Sequence, residues 1–549
     1  SIVVVVVVVV VVMVSLLPED VWRPVALHLP AKDIFSLLSV NRSFHQGLGR
    51  SKEFWRCLLL RDDGNEYLDD TQEEDCDLRG AYCTIAQKNE LKCVRWYPID
   101  PAIRISNREG HLACVAKART GHRRIVLTGG FSDDEAVYVI NCGTPWSRNS
   151  RPWTMIRTRP TQNGPTQNAG FVYGASLTHI RSEENSSMFV RFGGFRAGGY
   201  SHPTSMVAIL TVRDEGFQIS SHWEEKETRN AQVAIPRAYH TATLLGGRYL
   251  LITGGMSWGG SILDEAILDI QTWTWIETPV STGEDKPSAR HGHSVVYDNK
   301  RNRIVMFGGG NGSDLLRSGT DNSEVWELKL RVGWEDNLVD SLPWRWNKLH
   351  NGENDDSAEP TNRLSSAETL CLGRCHSSCK VSPDKVVIMF GSGRPSTNGI
   401  IAFDLDRNAF HRPIVNGIVP KPRFTGTAVC LEEGYILTHG GYSTQELDAI
   451  SDMDILDLSA ALDRRFDSMP VDLRRPSHAE VTDAHAEANR SYRSRAIFQL
   501  MFTGLMGMDN RTAALFREHD EELRGSASEA AEDGNDGSSD SDFEVEEDD

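Results

Sequence analysis

The chain has 549 residues and a formal net charge of −19. Residues 520–549 contain fourteen acids against one arginine, so that stretch accounts for −13 and the remainder for only −6; an acidic balance of this kind excludes broad phosphate-backbone binding and hence a nucleic-acid partner. Ten cysteines scattered irregularly over this length form no disulfide framework and fit a reducing compartment, cytoplasmic or nuclear.

The chain opens on thirteen apolar residues, nearly all valine, at residues 2–14. That is short of the roughly 18 needed to span a bilayer and carries no charged leader, so it reads as a low-complexity extension without a membrane role, a truncated signal or anchor being the alternative. Residues 15–61 follow as a helical segment. Pro18-Glu19-Asp20 is a helix start, with proline in the first turn and acids at the positive end of the dipole. Pro30 ends that helix, and Asp33 begins a second with Ile34, Leu37, Leu38 and Val40 as its apolar positions. A third stretch holds Phe54, Trp55, Leu58 and Leu59. A module this small cannot bury all of those side chains alone, which leaves an apolar patch for a partner. Residues 62–90 read as a linker.

From residue 91 to 460 the chain repeats. Short apolar runs end in glycine turns at Leu127-Thr128-Gly129-Gly130, Arg191-Phe192-Gly193-Gly194, Ile252-Thr253-Gly254-Gly255, Met306-Phe307-Gly308-Gly309, Met389-Phe390-Gly391-Ser392 and Leu437-Thr438-His439-Gly440-Gly441. Successive doublets lie 64, 61, 54, 83 and 49 residues apart. The runs suit strands buried on both faces. Each unit starts on a small or basic segment, as at Arg108, Arg237, Arg290, Arg374 and Arg423, and several end on a tryptophan strand, as at Trp223, Trp275 and Trp346. The spacing and the doublets resemble the kelch repeat, whose period is about 50 residues. The resemblance implies an all-β, six-bladed propeller with four strands per blade. The last unit has no tryptophan strand after Asp457-Leu458, whereas Trp96 lies upstream, twelve residues before Arg108. The Trp96 strand is therefore expected beside Ile455-Leu456-Asp457, closing the sixth blade with the N-terminal end of the ring and leaving few free strand edges.

Cys371, Cys375, His376 and Cys379 have metal-ligand residue types but not the paired spacing of a zinc site, and the segment aligns with a blade opening; no metal or other cofactor is expected. The recurring His111, His240, His293 and His376 read as residues that hydrogen-bond within blades. No nucleophile elbow, P-loop or dinucleotide fingerprint is present, so no catalytic residue is assigned. The segments after the glycine doublets gather on one face of a propeller, which nominates Phe195, Arg196, Trp258, Asn311, Arg394 and Tyr442 for target binding, with Arg, Trp and Tyr the side chains that dominate hot spots. Arg196 and Arg394 suit an acidic or phosphorylated ligand. Residues 461–524 read as a helical extension, and residues 525–549, rich in Ser, Gly, Asp and Glu, as a disordered acidic tail.

The order Leu17-Pro18 … Leu29-Pro30 … Ile34 … Leu37-Leu38 … Val40 … Phe54-Trp55 in the first module resembles the F-box. Pro24 inside the first helix and Asn41 depart from that pattern. The resemblance implies that Leu17, Pro18, Ile34, Leu37, Leu38 and Val40 dock a Skp-family adaptor and, through it, a cullin-RING ligase. The whole chain then reads as the non-catalytic, substrate-recognition subunit of an SCF-type ubiquitin ligase, with the propeller holding an unidentified target. A kelch scaffold unconnected with ubiquitin transfer is the first alternative, and a kelch-fold enzyme or metal protein the second.

Overall fold

The computed structural model describes residues 54–58 and most of residues 91–458. Residues 54–58 form a short helix whose Phe54, Trp55 and Leu58 are buried, the first two rings meeting edge to face at 5.3 Å. The six adaptor-docking candidates, the helical extension and the acidic tail lie outside the described residues.

Between residues 93 and 457 the described strands form six main sheets, mostly antiparallel, arranged as the blades of a closed propeller. The first blade runs from Leu112–Lys117 through Arg123–Thr128 and Val137–Cys142 to Thr154–Thr158, innermost to outermost. The second uses Ser176–Ser182, Ser186–Phe192, Val207–Asp214 and Ile219–Glu225; the third Thr241–Leu245, Tyr249–Ser257, Gly260–Asp269 and Thr274–Glu277. The fourth uses Ser294–Asp298, Arg303–Phe307, Val325–Lys329 and Arg345–His350; the fifth Ser377–Ser382, Lys385–Met389, Ile400–Asp404 and Ala409–His411. The sixth takes Thr427–Leu431, Tyr435–His439 and Met453–Asp457 from the C-terminal side and Cys93–Pro98 from the N-terminal side. In that blade Trp96 lies opposite Leu456 and Tyr97 opposite Ile455, the pairing that the position of Trp96 foreshadowed. Two blades exceed the expected four strands. Thr161–Asn163 adds a parallel fifth strand outside Ile219–Glu225, and Ile414–Gly417 adds one outside Cys93–Pro98.

Burial follows seams rather than blades. Among the described residues an apolar cluster lies between each pair of neighbouring blades. The alternation of strand side chains feeds two of them at once: Ile304 and Met306 face the third blade, while Val305 and Phe307 face the fifth. This is why the second strand of each blade reads as an unbroken apolar run, and why a one-residue slip would exchange the two seams. Trp96, Trp223, Trp275 and Trp346 each fill the outer part of a seam. Truncating one of them would cost about 3–5 kcal/mol.

Around the axis, the innermost strand of each blade touches those of both neighbours. Just before these strands, six residues form a closed circle of backbone hydrogen bonds. Gly110 N–H donates to Thr425 O (3.0 Å), Thr425 to Cys375 (3.0 Å), Cys375 to Gly292 (2.7 Å), Gly292 to Tyr239 (2.8 Å), Tyr239 to Gly174 (2.6 Å) and Gly174 to Gly110 (2.8 Å). All six have φ between 53° and 65°, the left-handed region, and three of them are not glycine.

The glycine doublets serve the seams. The second glycine of a doublet donates its N–H to the segment opening the next blade, as in Gly255 to Arg290 O (2.9 Å) and Gly441 to Arg108 O (2.9 Å). Four buried arginines answer from the openings: Arg108, Arg237, Arg290 and Arg423 donate Nη1 to the carbonyls of Gly129, Gly254, Gly308 and Gly440 at 3.0–3.2 Å. Arg374 does not belong to this set. It lies one residue closer to its circle residue, Cys375, than the other arginines do to theirs, and it bonds Asp321 Oδ1 at 2.7 Å instead.

The repeated histidines also differ from expectation, because their ring bonds cross between blades. His240, His293, His376 and His111 place Nε2 at 2.7–3.2 Å from Ser176, Thr241, Ser294 and Thr427 of the preceding blade. Each imidazole therefore sits buried in a seam. Burial pushes His240 down to about 3 and His376 down to about 4, and it holds His111, His293 and His439 well below the ordinary histidine range. At the seam between the sixth and first blades, His111 Nε2 and His439 Nδ1 lie 3.1 Å apart, with Arg108 adding to the pressure against a proton on either ring.

Two predictions follow from these seams. A folded-state pKa below the unfolded value near 6.5 means that the unfolded chain binds the extra protons on acidification. Stability is then full above about pH 6.5 and falls as pH drops from there toward about 4. Unfolding temperature measured from pH 7.5 to 5.0 should decline steadily, before most carboxylates titrate, and a flat profile would contradict the account. For the second, a Cβ on Gly440 would lie 2.7 Å from Arg108 O and 2.8 Å from His111 Cε1, whereas one on Gly247 would meet nothing within 4 Å. Both residues have left-handed φ, 61° and 66°. Gly247→Ala should cost about 1 kcal/mol and Gly440→Ala about 3 kcal/mol or more, read from denaturant midpoints.

Candidate functional site

The segments that follow the glycine doublets pair with the segments that precede the circle of hydrogen bonds. Glu109 bridges Phe131, Ala238 bridges Met256, His291 bridges Gly310 and Phe424 bridges Tyr442, while Phe195–Arg196 pairs with Val172–Tyr173. One face of the propeller is therefore built from corresponding pieces of the blades, and at its centre the side chains are aromatic. Tyr173 stacks on Phe195 at 5.2 Å and meets Phe131 edge to face at 6.1 Å. Tyr239 contacts Phe195, and Phe424 meets Tyr442 at 5.6 Å. A Cβ added to Gly174 would touch the Tyr239 ring at 2.9 Å, so that ring lies against the circle itself. Burial, with Glu109, Cys375 and Tyr173 nearby, raises the Tyr239 phenol well above its ordinary value, and burial pushes the Cys375 thiol up to about 12. These groups stay protonated at neutral pH and offer no nucleophile.

This arrangement sorts the six target-binding candidates. Phe195 and Tyr442 are only 8% and 6% exposed and belong to the aromatic plug; burial, then Glu109 and Asp448, pushes the Tyr442 hydroxyl up to about 12. Asn311 fixes a loop base: its Oδ1 accepts from Thr320 N–H at 2.7 Å, and its own N–H donates to Thr320 O at 3.0 Å. The backbone of Arg196 pairs with Val172, but its side chain and all of Arg394 lie outside the described residues. Trp258 stands apart. It caps the ribbon formed by Tyr249–Ser257 and Gly260–Asp269, is 64% exposed, and stacks on His202 at 3.7 Å.

A second feature on this side had no signal in the sequence. The segment entering the fourth blade and that blade's two outer strands enclose an open groove of about 690 Å³, lined by Lys286, Ser288, Asn322, Glu324, Asn347 and Lys348, with Trp326 behind them. Glu324 is fully engaged: Lys348 Nζ donates to Oε1 at 2.7 Å, and Arg290 Nη2 and Trp326 Nε1 donate to Oε2 at 2.9 Å. Burial works against that carboxylate, but these donors outweigh it and hold it down to about 2. Only the folded ladder brings residues 286–288 beside 322–326 and 347–348, so no linear motif announces them.

The zinc-like segment resolves into strand and seam: His376 spends Nε2 on Ser294 and Nδ1 on Gly373 O (2.7 Å), and Cys375 belongs to the backbone circle. Among the described residues no three His, Cys, Asp or Glu side chains are grouped to hold a metal ion, and no helix is long and apolar enough to cross a membrane.

Several known proteins resemble this chain. Adagio protein 3 of Arabidopsis thaliana is 27% identical over 338 residues, which is 59% of this chain and 46% of that protein. Adagio-like protein 1 of Oryza sativa subsp. japonica is 25% identical over 329 residues, covering 58% and 46%. The chain thus spans less than half the length of these relatives. Among solved structures, that of YjhT matches with a TM-score of 0.41 at 14% identity, covering 65% of this chain and 96% of that one. The model of the KLHDC2/KLHL20/DRC7 Kelch-repeats domain matches residues 172–331 and 278–486, more than half of the chain. Doublets, seams and match together place this chain in the KLHDC2/KLHL20/DRC7 kelch-repeat family.

Proposed function

We propose that this protein is the substrate-recognition subunit of an SCF-type ubiquitin ligase. Its first module would dock a Skp-family adaptor through Leu17, Pro18, Ile34, Leu37, Leu38 and Val40. Its propeller would hold a target protein so that a charged carrier enzyme, supplied by other subunits, reaches the target's lysines. The chain would contribute proximity and orientation and make no bond itself. The observation that carries this reading is the joining of an F-box-like pattern in residues 15–61 to a kelch propeller with a centre plugged by aromatic side chains. With the centre filled, binding falls to the outer loops, where Trp258 offers a large exposed ring of the type that anchors interfaces. Kelch propellers serve chiefly as protein-interaction folds, and the buried, protonated Tyr239 and Cys375 are consistent with that use.

Adaptor binding is the test. Purified Skp-family adaptor titrated into the full chain should bind tightly. A Leu17→Ala/Pro18→Ala/Leu37→Ala variant should lose at least tenfold in affinity while its propeller unfolds at the parent's temperature. No binding by a folded parent would leave a kelch scaffold outside ubiquitin transfer as the better reading.

A further inference from the structure

We infer that the groove in the fourth blade binds an acidic peptide segment, its ligand class being side-chain carboxylates or phosphates held by Lys286 and Lys348. This rests on the reading of the propeller as a protein-binding module and names the chemistry of what it binds.

The argument starts from charge. Along the groove Lys286 and Lys348 bring two positive charges against the single negative charge of Glu324, in a chain whose overall charge is −19. Glu324 cannot compete for further cations, since Arg290, Lys348 and the Trp326 indole already occupy its two oxygens. Lys348 is held in place by that bond and by the Trp326 ring, 4.8 Å from its Nζ, and is still 37% exposed. Lys286 is exposed, lines the groove, and makes no ion pair among the described residues. Lys286 also acts electrostatically on Glu265, which burial raises to about 7 and whose Oε1 accepts from Trp346 Nε1 at 2.8 Å. Of the other two acids on that strand, Asp264 is paired with the buried Arg237 and Asp269 with Arg248. In the sequence Glu284 and Asp285 precede Lys286.

Shape supplies the rest. The groove is open rather than enclosed, and Ser288, Asn322 and Asn347 add hydroxyl and amide groups along it. That suits an extended chain passing across it more than a small molecule buried in it. The groove adjoins the ribbon carrying Trp258: Arg290 N–H donates to Ile262 O (3.2 Å), and Ser261 N–H donates to Gly312 O (3.0 Å). An apolar anchor and a cationic track therefore share the border between the third and fourth blades. Lysines hold a carboxylate or a phosphate as point charges, so binding should be salt-dependent and tolerant of which anion is offered.

The experiment uses the full chain and fluorescein-labelled twelve-residue peptides read by anisotropy. One peptide alternates glutamate with glycine and serine, a second carries phosphoserine in place of the glutamates, and a third carries glutamine. The first two should bind, weakening as salt rises, and the third should not. The ratio of the first two tells whether carboxylate or phosphate is preferred. Lys286→Glu should weaken the acidic peptides at least tenfold. Lys329→Glu makes the same charge change at the far end of the Val325–Lys329 strand and should change affinity less than twofold. Equal effects of the two variants, or peptide binding untouched by Lys286→Glu, would overturn the proposal. Adaptor binding is read separately, so its failure with the groove intact would count against the ligase reading alone.

Discussion

Everything in this propeller depends on closing a circle. Six backbone amides, one from each blade, hydrogen-bond head to tail around the axis from Gly110 back to Gly110. A circle of this kind has no partial form: if one member leaves the left-handed region, its N–H and C=O turn away from both neighbours. Three members are glycine and adopt this conformation at little cost; Tyr239, Cys375 and Thr425 pay a steric penalty of about 1 kcal/mol or more each. The seams around them make that penalty tolerable. Arginines bonded to glycine carbonyls, histidines bonded to hydroxyls of the preceding blade, and an apolar cluster in every gap hold the openings in place regardless of local preference.

The same circle also sets what lies at the centre. Left-handed residues with side chains bring Tyr239 and Cys375 to the axis, and the neighbouring aromatic rings close over them. Among the described residues, Trp258 and the lysine-lined groove present exposed side chains outward, where loops differ from blade to blade while the frame beneath them repeats.

Much of this frame was legible in the residues, because a repeated constraint leaves a repeated mark. The doublets mark where backbone of one blade meets the opening of the next, and Trp96 marked the missing outer strand by being out of place. Even the seam bonds are written as pairs. His293 follows a blade that offers Thr241, and His376 one that offers Ser294; where the first blade has Leu112, the second has Ala175 instead of histidine. The site was less legible. Phe195 and Tyr442 looked like loop residues because burial against other blades is not a property of local sequence. The groove joins three distant segments, and Arg374 looked like its counterparts although a one-residue difference in spacing sends it to Asp321. Two fifth strands went unseen because Thr161–Asn163 and Ile414–Gly417 are short and lack the alternation that marks a paired strand.

The sixth blade is assembled from the two ends of the ring, with Trp96 against Leu456 across some 360 residues of chain. During synthesis the first five blades emerge with one flank bare, and the Cys93–Pro98 strand waits without a partner until Met453–Asp457 has left the ribosome. Over that interval an unpaired strand edge and an open apolar seam are exposed together, the condition under which chains cross-pair with one another. The period of greatest risk is therefore the interval before residues 453–457 emerge, and a chain cut short of residue 453 would lack the strand that Trp96 pairs with.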